Sequence, residues 1–320
     1  MHKYELVKTL EHIRAVNLAI DYIHGHLDEP LTLETVAREA SFSPYHFHRI
    51  FKAVVQENIH EYIRRARIEK SARLLTFHED VPLSDIAYEC GFQSLSTFSR
   101  AFKIIRGLPP SEYRSRFRFD RPRTVTLAEQ RFRSEMSRMG GSDVGGIDRL
   151  IAYALEQLRF VEVRRFPPEK VAYTRHRGLR QGLNRELSAS FERTYVALRR
   201  AGVRPVQGPA IGVSYDDPYV TPMDKSRYDA CVPVAPDCPP VPGVEMQILP
   251  GGTYATLSIS DTHYMCALLG DLLFQVWLPT SGYRLDMRPL LEKYDKDPSY
   301  DPYQRLTLEI CIPLAPRPKA

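Results

Sequence analysis

A pattern of residues occurs twice in the first third of the chain, and this internal repeat limits the fold more than any other feature of the sequence. The matched pairs lie 50 residues apart up to a short turn and 51 residues apart after it: Leu33 and Leu83, Val36 and Ile86, Ala37 and Ala87, Phe42 and Phe92, Phe47 and Phe98, Arg49 and Arg100, Phe51 and Phe102, Lys52 and Lys103, and Tyr62 and Tyr113. Matched residues in the same order over about 30 positions indicate two copies of one structural unit. The shift of one residue falls in the turn, where an insertion costs little.

Each copy predicts two short helices joined by a tight turn, which together form a helix-turn-helix. In the first copy, Thr32 is placed to cap the first helix, and Ser43 followed by Pro44 begins the second helix. In the second copy, the helix that follows Gly91 has one apolar face and one face of hydroxyl and basic side chains. A long helix from about Ile59 to Leu75 connects the two copies.

The repeat has a direct physical use in DNA recognition. Two reading helices on one face of a protein meet two major-groove segments about one turn, roughly 34 Å, apart. A connecting helix of about 17 residues spans roughly 25 Å, which is the right order of length to fix this separation. The sequence therefore predicts a monomer that reads an asymmetric site in double-stranded DNA. The basic stretch from Arg100 to Arg138, in a chain of net charge +5, favours a phosphate-bearing partner.

The residue pattern changes after residue 119, where we place the end of an all-α DNA-binding domain. Residues 120–147 are basic and contain two glycine pairs, so we interpret them as a linker with room for a short helical piece. Residues 148–320 predict an α+β domain, with its main helices at about 184–202 and 264–282 among strand-like segments. We expect a curved antiparallel sheet that carries both helices on one side and leaves the other face free.

The double helix-turn-helix resembles the DNA-binding domain of the AraC/XylS regulators. The motifs IAYECGF at 86–92, FSRAFK at 98–103 and LPPSEYR at 108–114 carry the resemblance, which covers residues 5–117. It implies three base-reading residues in each reading helix: Tyr45, His48, Arg49, Leu95, Ser96 and Arg100. Arg49 and Arg100 also match in the repeat, and the planar fork of arginine can donate two hydrogen bonds to guanine. Three further residues fit phosphate contacts: Ser94, Thr97 and Lys103.

The C-terminal part resembles the GyrI-like small-molecule-binding domain over residues 159–315. Six segments in family order carry this resemblance: YTRHRG at 173–178, IGVSYDDP at 211–218, RYDACVPV at 227–234, ILPGGTYA at 248–255, VWLPTSGY at 276–283 and LEKY at 291–294. Both resemblances together imply a multidomain regulator with its effector-binding domain at the C-terminus.

The second resemblance implies an aromatic cleft with a carboxylate on its floor. The candidate effector-binding residues are Tyr173, Tyr215, Tyr254, Trp277, Tyr283 and Glu292. A carboxylate among aromatic rings suits a hydrophobic cation, because the rings supply cation–π contact and Glu292 supplies the counter-charge. Glu309, on the polar face of the last strand, is an alternative carboxylate. Leu179 and Arg180 stand where the family often has a proline and a tyrosine, and an arginine at the cleft rim leaves an anionic effector open.

We therefore predict a sequence-specific DNA-binding transcription regulator that a small molecule modulates, with RNA polymerase as a further partner. Two other functions remain open for the C-terminal domain. It is either a hydrolase of electrophilic compounds, in which Glu292 and a tyrosine activate water or the substrate, or a non-enzymatic module that sequesters drugs.

Other chemistries lack a sequence motif, and we expect no catalytic residue, cofactor or metal. The sequence contains no GxSxG, phosphate loop, HExxH or PCHR motif, and its five cysteines form no CxxC pair. No apolar run is long enough to cross a bilayer, and the N-terminus lacks the apolar core of a signal peptide. We expect a cytoplasmic location without a membrane partner.

Overall fold

The computed structural model describes residues 3–78, 80–117, 127–138, 144–178, 184–217, 220–295 and 305–316. The chain divides into two compact units, Met1–Arg118 and Phe119–Ala320. Among the described residues, no helix has the length and apolar character that a membrane span requires.

The first unit is built from helices, as the repeat predicts. Their bounds in chain order are α1 Lys3–Gly25, α2 Leu33–Glu39, α3 Pro44–Val55, α4 Ile59–Phe77, α5 Leu83–Glu89, α6 Leu95–Arg106 and α7 Pro110–Phe117. Helices α2 and α3 form the first helix-turn-helix, α5 and α6 form the second, and α4 connects them. Thr32 caps α2 by accepting a hydrogen bond from the amide of Thr35, and Pro44 is the first residue of α3.

The aromatic core of the first unit is duplicated together with its helices. Phe51 packs edge-on against Tyr62 with 5.4 Å between ring centroids, and Phe102 packs in the same way against Tyr113 at 5.1 Å. All four rings are buried. Because burial of a large apolar side chain contributes about 1.5–3 kcal/mol, the matched aromatics account for much of the stability of each copy.

The turn within each helix-turn-helix uses one residue with a positive φ angle. This residue is Ser41, with φ of 60°, in the first copy and Gly91, with φ of 75°, in the second. A Cβ atom at position 91 would lie 2.1 Å from the carbonyl oxygen of Leu27. Glycine is therefore required at position 91, both for its backbone conformation and for the close approach of the neighbouring chain.

The second unit combines helices with one antiparallel sheet, which confirms the α+β class. Its helices are α8 Leu127–Arg138, α9 Val144–Gln157, α10 Asn184–Arg200, α11 His263–Leu272 and α12 Leu278–Thr280. Its strands are β1 Glu162–Phe166, β2 Glu169–Arg177, β3 Ala210–Ser214, β4 Arg227–Pro233, β5 Glu245–Leu249, β6 Gly252–Thr262, β7 Tyr283–Leu285, β8 Leu290–Tyr294 and β9 Arg305–Pro316.

Helix α8 lies within the range that the sequence suggests as a linker, and it packs on the second unit. The amide of Ala128 donates a hydrogen bond of 3.0 Å to Oε1 of Gln275. Arg131 forms an ion pair of 3.7 Å with Asp271 of α11. The segment therefore contributes a full helix to the second unit, where the sequence suggested only a short helical piece.

The strands pair in the order β1-β6-β9-β8-β3-β4-β2-β5, and β7 also pairs with β9. The row has two halves, which meet where β3 pairs with β8. In that pair, Gly212 of β3 stands opposite Glu292 of β8.

Helices α10 and α11 pack on one face of the sheet, which we call the helix face. The hydroxyl of Thr194 in α10 donates to the carbonyl of Ala230 in β4 at 3.2 Å. A Cβ atom at Gly270 of α11 would lie 3.6 Å from the side chain of Ile310 in β9. Since side chains alternate along a strand, these contacts place Glu292, which pairs with Ile310, on the helix face.

The opposite face, which we call the inner face, is not free as expected from the sequence. Strands from one end of the row to the other contribute to one cluster on this face: Phe166, Val171, Tyr173, Ile211, Val213, Tyr215, Cys231, Leu249, Tyr254, Leu291 and Cys311. In a flat sheet, the two edge strands of eight would lie about 34 Å apart. Since Phe166 of β1 and Leu249 of β5 join the same cluster, the sheet bends around its inner face and buries it.

Candidate functional site

The first reading helix, α3, presents its candidate residues away from the core. Phe47 and Phe51 anchor the helix from the buried side. Tyr45 is 77% exposed, Arg49 is also exposed, and His48 is half-buried. This arrangement leaves three predicted base-reading residues accessible to a groove of DNA.

The second reading helix, α6, repeats this arrangement. Phe98 and Phe102 are buried, whereas Leu95, Ser96 and Arg100 are exposed. Helices α3 and α6 both contain 12 residues, and Arg49 and Arg100 each stand at the sixth position of their helix. The structure therefore places the two arginines at equivalent points of the two copies.

The three side chains predicted to contact phosphates, Ser94, Thr97 and Lys103, differ in the contacts they make within the protein. The Ser94 hydroxyl caps α6 by accepting a hydrogen bond of 3.2 Å from the amide of Thr97, and the two hydroxyls lie 2.9 Å apart. Ser94 therefore has a structural role at the start of the helix. Lys103 is exposed on the outer face of α6.

Cations near the reading helices have no partner within the described part of the chain. These side chains are Arg49, Lys52, Arg64, Arg100 and Lys103. By contrast, Arg65 forms hydrogen bonds of 2.9 and 3.0 Å to Glu69 and also pairs with Glu57. Unpaired cations close to two reading helices are available for the phosphates and bases of DNA.

A groove of about 580 Å³ adjoins the first reading helix. It is lined by His48, Lys52, Asn58, His60, Glu61 and Arg64. The sequence does not reveal this groove, because its walls come from α3 and from the start of α4. Lys52 is the one member that the repeat singles out, through its match with Lys103.

In the second unit, Glu292 lies at the centre of a hydrogen-bonded group on the helix face. Its Oε2 atom accepts bonds from the hydroxyls of Tyr228 at 3.0 Å and Tyr294 at 2.8 Å. The two hydroxyls lie 3.1 Å apart. Phe191 of α10 covers the group, with 5.7 Å between its ring centroid and that of Tyr294.

Burial sets the protonation of this group. Burial raises the pKa of the Glu292 carboxyl, and the two tyrosine hydroxyls, which favour the charged form, offset this rise in part. Burial, followed by the neighbouring acidic groups, holds the pKa of Tyr228 and Tyr294 well above the ordinary value. Both phenols therefore remain protonated donors at neutral pH.

Glu292 forms no ion pair with any residue that the structure describes. A partly buried carboxylate without a counter-charge is costly unless a cation or a proton joins it. The hydrogen bonds of the two tyrosines converge on Oε2, which leaves Oε1 for a ligand. Tyr228 and Phe191 are functional candidates that the sequence did not identify. Every residue of β4 is buried, so no alternation marks the face of Tyr228, and Phe191 reaches the group from α10.

Two of the predicted effector-binding tyrosines, Tyr173 and Tyr215, lie on the inner face and contact a cationic side chain of the protein itself. The guanidinium of Arg175 lies 5.4 Å from the ring centroids of both Tyr173 and Tyr215. Asp229 neutralises it through two hydrogen bonds of 2.7 and 2.8 Å. The side chains of Arg175 and Asp229 are 1% and 0% exposed, so this aromatic site is closed to an external ligand.

The remaining candidates are spread over the second unit. Tyr254 is buried on the inner face, with the guanidinium of Arg288 4.7 Å from its ring centroid. Trp277 ends a π-helical segment after α11, Tyr283 begins β7, and both are half-buried. The alternative carboxylate, Glu309, is paired with Arg164. Leu179 and Arg180 lie outside the described residues.

Comparisons with known proteins agree with both halves of this architecture. Residues 36–116 match a helix-turn-helix domain, and residues 159–315 match the GyrI-like small molecule binding domain. The regulatory protein SoxS of Salmonella typhimurium is 35% identical over 107 residues, which are 33% of this chain and 99% of SoxS. The chain belongs to the AraC/XylS family of transcription regulators.

Other proteins resemble parts of this AraC/XylS regulator. The transcriptional regulator Rob of Salmonella typhimurium is 43% identical over 93 residues, which are 29% of this chain and 32% of Rob. The match thus spans about a third of Rob. Among solved structures, the DNA-binding domain of AdpA in complex with a target DNA is 27% identical, covering 34% of this chain and 96% of that chain, with a TM-score of 0.32. The EcmrR C-terminal domain is 15% identical, covering 49% of this chain and 97% of that chain, with a TM-score of 0.42.

The family and the two domain matches confirm the function predicted at the level of class. This AraC/XylS regulator binds double-stranded DNA, and its GyrI-like domain provides for modulation by a small molecule. SoxS and Rob of Salmonella typhimurium are themselves named as regulators.

Proposed function

We propose that this regulator reads two adjacent major-groove segments of duplex DNA with α3 and α6, and that an effector bound at Glu292 modulates its activity. The observation that carries the DNA part is the equivalence of Arg49 and Arg100. Both stand at the sixth position of their reading helices and are exposed, with no partner in the described part of the chain. Tyr45 and His48 join Arg49 as base readers, and Leu95 and Ser96 join Arg100.

The length of the connecting helix is consistent with two reading helices that bind the same face of the DNA. Helix α4 contains 19 residues, which span about 28 Å at the rise of an α-helix. This length is of the order of the roughly 34 Å between major-groove segments one turn apart. Thr97 and Lys103 of the second reading helix, α6, contact phosphates, whereas Ser94 acts mainly through the cap of α6.

The proposed effector site rests on one observation: Glu292 is partly buried, and none of the residues that the structure describes supplies a counter-charge. A hydrophobic cation fits this site best, because it brings the missing charge together with apolar surface. Phe191, Tyr228 and Tyr294 supply the aromatic surroundings. The tyrosines of the inner face are not part of the proposed site, since Arg175 and Asp229 occupy their centre.

We further propose that the effector domain binds its ligand without converting it. This proposal is supported by the relatives SoxS and Rob, which are regulators. A hydrolase would use the Oε1 atom of Glu292, which the two tyrosines leave without a hydrogen bond, to activate water. Incubation of the protein with reactive esters and epoxides tests this proposal. Turnover that disappears in Glu292→Gln would establish the hydrolase instead.

RNA polymerase is the proposed protein partner, because regulators of this class act at promoters. The test is a gel-shift titration of promoter DNA with regulator and RNA polymerase holoenzyme, in which a ternary complex should form cooperatively. Independent binding of the two proteins would contradict it.

Two measurements test the main proposal. Genome-wide mapping of bound DNA should yield a site with two short conserved elements about one helical turn apart. Calorimetric titration with tetraphenylphosphonium, a hydrophobic cation, should detect binding that Glu292→Gln weakens, while the affinity of the variant for the mapped DNA stays unchanged. Equal cation affinity in both proteins would remove Glu292 from the site.

A further inference from the structure

The groove beside α3 carries a concentration of basic side chains from two helices. Lys52 lies on its α3 side and Arg64 on its α4 side, and the imidazoles of His48 and His60 add two further nitrogen-bearing groups. Its one carboxylate, that of Glu61, faces the amide of Asn58 at 3.4 Å as part of the cap of α4. The lining therefore has more positive than negative charge.

The cations of this groove are not used in the packing of the protein. Within the residues that the structure describes, the side chains of Lys52 and Arg64 form no hydrogen bond or ion pair. Arg65, the next residue of α4, is held by ion pairs with Glu57 and Glu69. The contrast between adjacent arginines indicates that Arg64 is left available for an external anion.

The groove is continuous with the first reading surface. His48 belongs to both, and Lys52 follows Arg49 by three residues, which places them as neighbours on the outer face of α3. The first turn of α4, capped by Asn58, adds the partial positive charge of a helix N-terminus. A duplex read by Arg49 would thus present its sugar–phosphate backbone to the groove.

The internal repeat provides a comparison within the same chain. The residues that occupy the groove positions in the second copy, 51 residues later, are Ser99, Lys103, Pro109, Ser111, Glu112 and Ser115. Lysine is kept at Lys103, but serines stand in place of His48, His60 and Arg64. The second copy therefore has one cation where the first copy has two cations and two histidines.

We propose that this groove binds a backbone phosphate of duplex DNA next to the segment that α3 reads, so that the first copy holds the DNA backbone more strongly than the second. The inference rests on the proposed reading of DNA by α3 and α6. Arg64 and Lys52 donate to the phosphate oxygens, and His60 donates from the start of α4. The second copy depends more on its base contacts for its share of the affinity.

The salt dependence of DNA binding tests this proposal in the full-length protein. Affinity for a fluorescent duplex of random sequence is measured by anisotropy between 50 and 300 mM KCl, about the range in which phosphate contacts dominate. Each lost phosphate contact should lower the slope of log K against log salt by about 0.9. We expect Arg64→Ala and Lys52→Ala each to weaken binding, and the double variant to reduce the slope by about one to two.

The second copy supplies a matched control. Ser111→Ala and Ser115→Ala change the positions that correspond to His60 and Arg64, and they should leave the slope unchanged. An unchanged slope in the Lys52→Ala/Arg64→Ala variant would overturn the proposal, as would an equal reduction in the serine variants. Circular dichroism melts establish that each variant is folded.

Methylphosphonate substitution locates the contact. In a duplex that carries the mapped site, neutral linkages replace single phosphates along each half. One neutral linkage near the element read by α3 should weaken the wild type but cause no further loss in the Lys52→Ala/Arg64→Ala variant. Additive losses at every position would overturn the proposal, whereas failure of the wild type to bind any duplex would instead refute the proposed reading of DNA.

Discussion

Gly212 of β3 lies directly opposite Glu292 of β8, and the absence of a side chain at Gly212 leaves the space that the hydroxyl of Tyr228 occupies. A Cβ atom at position 212 would lie 1.8 Å from that hydroxyl and 3.1 Å from Oε2 of Glu292. Gly212 therefore allows the bond between Tyr228 and Glu292 to form.

The Gly212→Ala substitution should consequently disturb the proposed effector site. We expect it to weaken binding of tetraphenylphosphonium about tenfold or more, which corresponds to roughly 1.4 kcal/mol, because Tyr228 must move away from Glu292. Titration calorimetry measures the loss. Adding Tyr228→Leu removes both clashing atoms, the hydroxyl at 1.8 Å and Cζ at 2.5 Å, so the double variant should bind within about threefold of Tyr228→Leu alone. A double variant more than about tenfold weaker than Tyr228→Leu alone would contradict the clash as the cause.

The two reading arginines should affect different halves of the DNA site. Arg49→Ala and Arg100→Ala should each lose about 1–3 kcal/mol of base discrimination. The base pairs affected by the two variants should lie about one helical turn apart. Selection of bound sequences from a random library, carried out with each variant, reveals which positions lose their preference. Equal losses of specific and non-specific affinity would mean that the arginine contacts phosphate and does not read bases.

The raised pKa of Glu292 predicts a pH-dependent stability of the second unit. A carboxyl group whose pKa is higher in the folded state gives its full stabilising contribution below the ordinary pKa and loses it as the pH rises through the raised value. Glu292→Gln should therefore be more stable than the wild type at neutral pH, and this advantage should shrink towards pH 4.5. Trp277 is the single tryptophan, so its fluorescence follows urea unfolding of this unit. A stability difference independent of pH would contradict the prediction.

The turns of the two copies should respond differently to small substitutions. Gly91→Ala places a Cβ atom 2.1 Å from the carbonyl oxygen of Leu27, so we expect a loss of about 2 kcal/mol or more in the unfolding free energy of the first unit. Ser41→Gly relieves a left-handed φ and should change it by less than about 1 kcal/mol. Circular dichroism at 222 nm during urea unfolding provides the measurement. Similar effects at both positions would exclude the contact with Leu27 as the cause.

The architecture of the first unit could be predicted because its information is local and repeated. Thr32 caps a helix through its own neighbours, and the spacing of Phe98 and Phe102 identifies the buried face of α6 without knowledge of any other element. The groove at Lys52 and Arg64 could not be predicted in this way. It depends on how α3 meets α4, and no residue spacing encodes that angle.

The surroundings of Glu292, the proposed effector site, could be predicted only in part. Glu292 followed from the resemblance, but three of the tyrosines assigned to it, Tyr173, Tyr215 and Tyr254, lie on the inner face of the sheet. Alternation along a strand separates two sets of side chains without stating which set meets the helices. Bending of the sheet buries the inner face as well, so Tyr173 is as deeply buried as a residue beneath a helix. Tyr228, the residue that does contact Glu292, lies in a strand that is buried on both faces.

The packing of α8 on α11 affects how the effector domain can be isolated. A fragment that starts at residue 148, as the glycine pairs suggest, would lack Arg131 and the amide of Ala128, and would leave Asp271 and Gln275 of the α11 region without these partners. A fragment that starts ahead of Leu127 retains both contacts. For ligand screening or crystallisation of the effector domain alone, the cleavage point therefore belongs before α8.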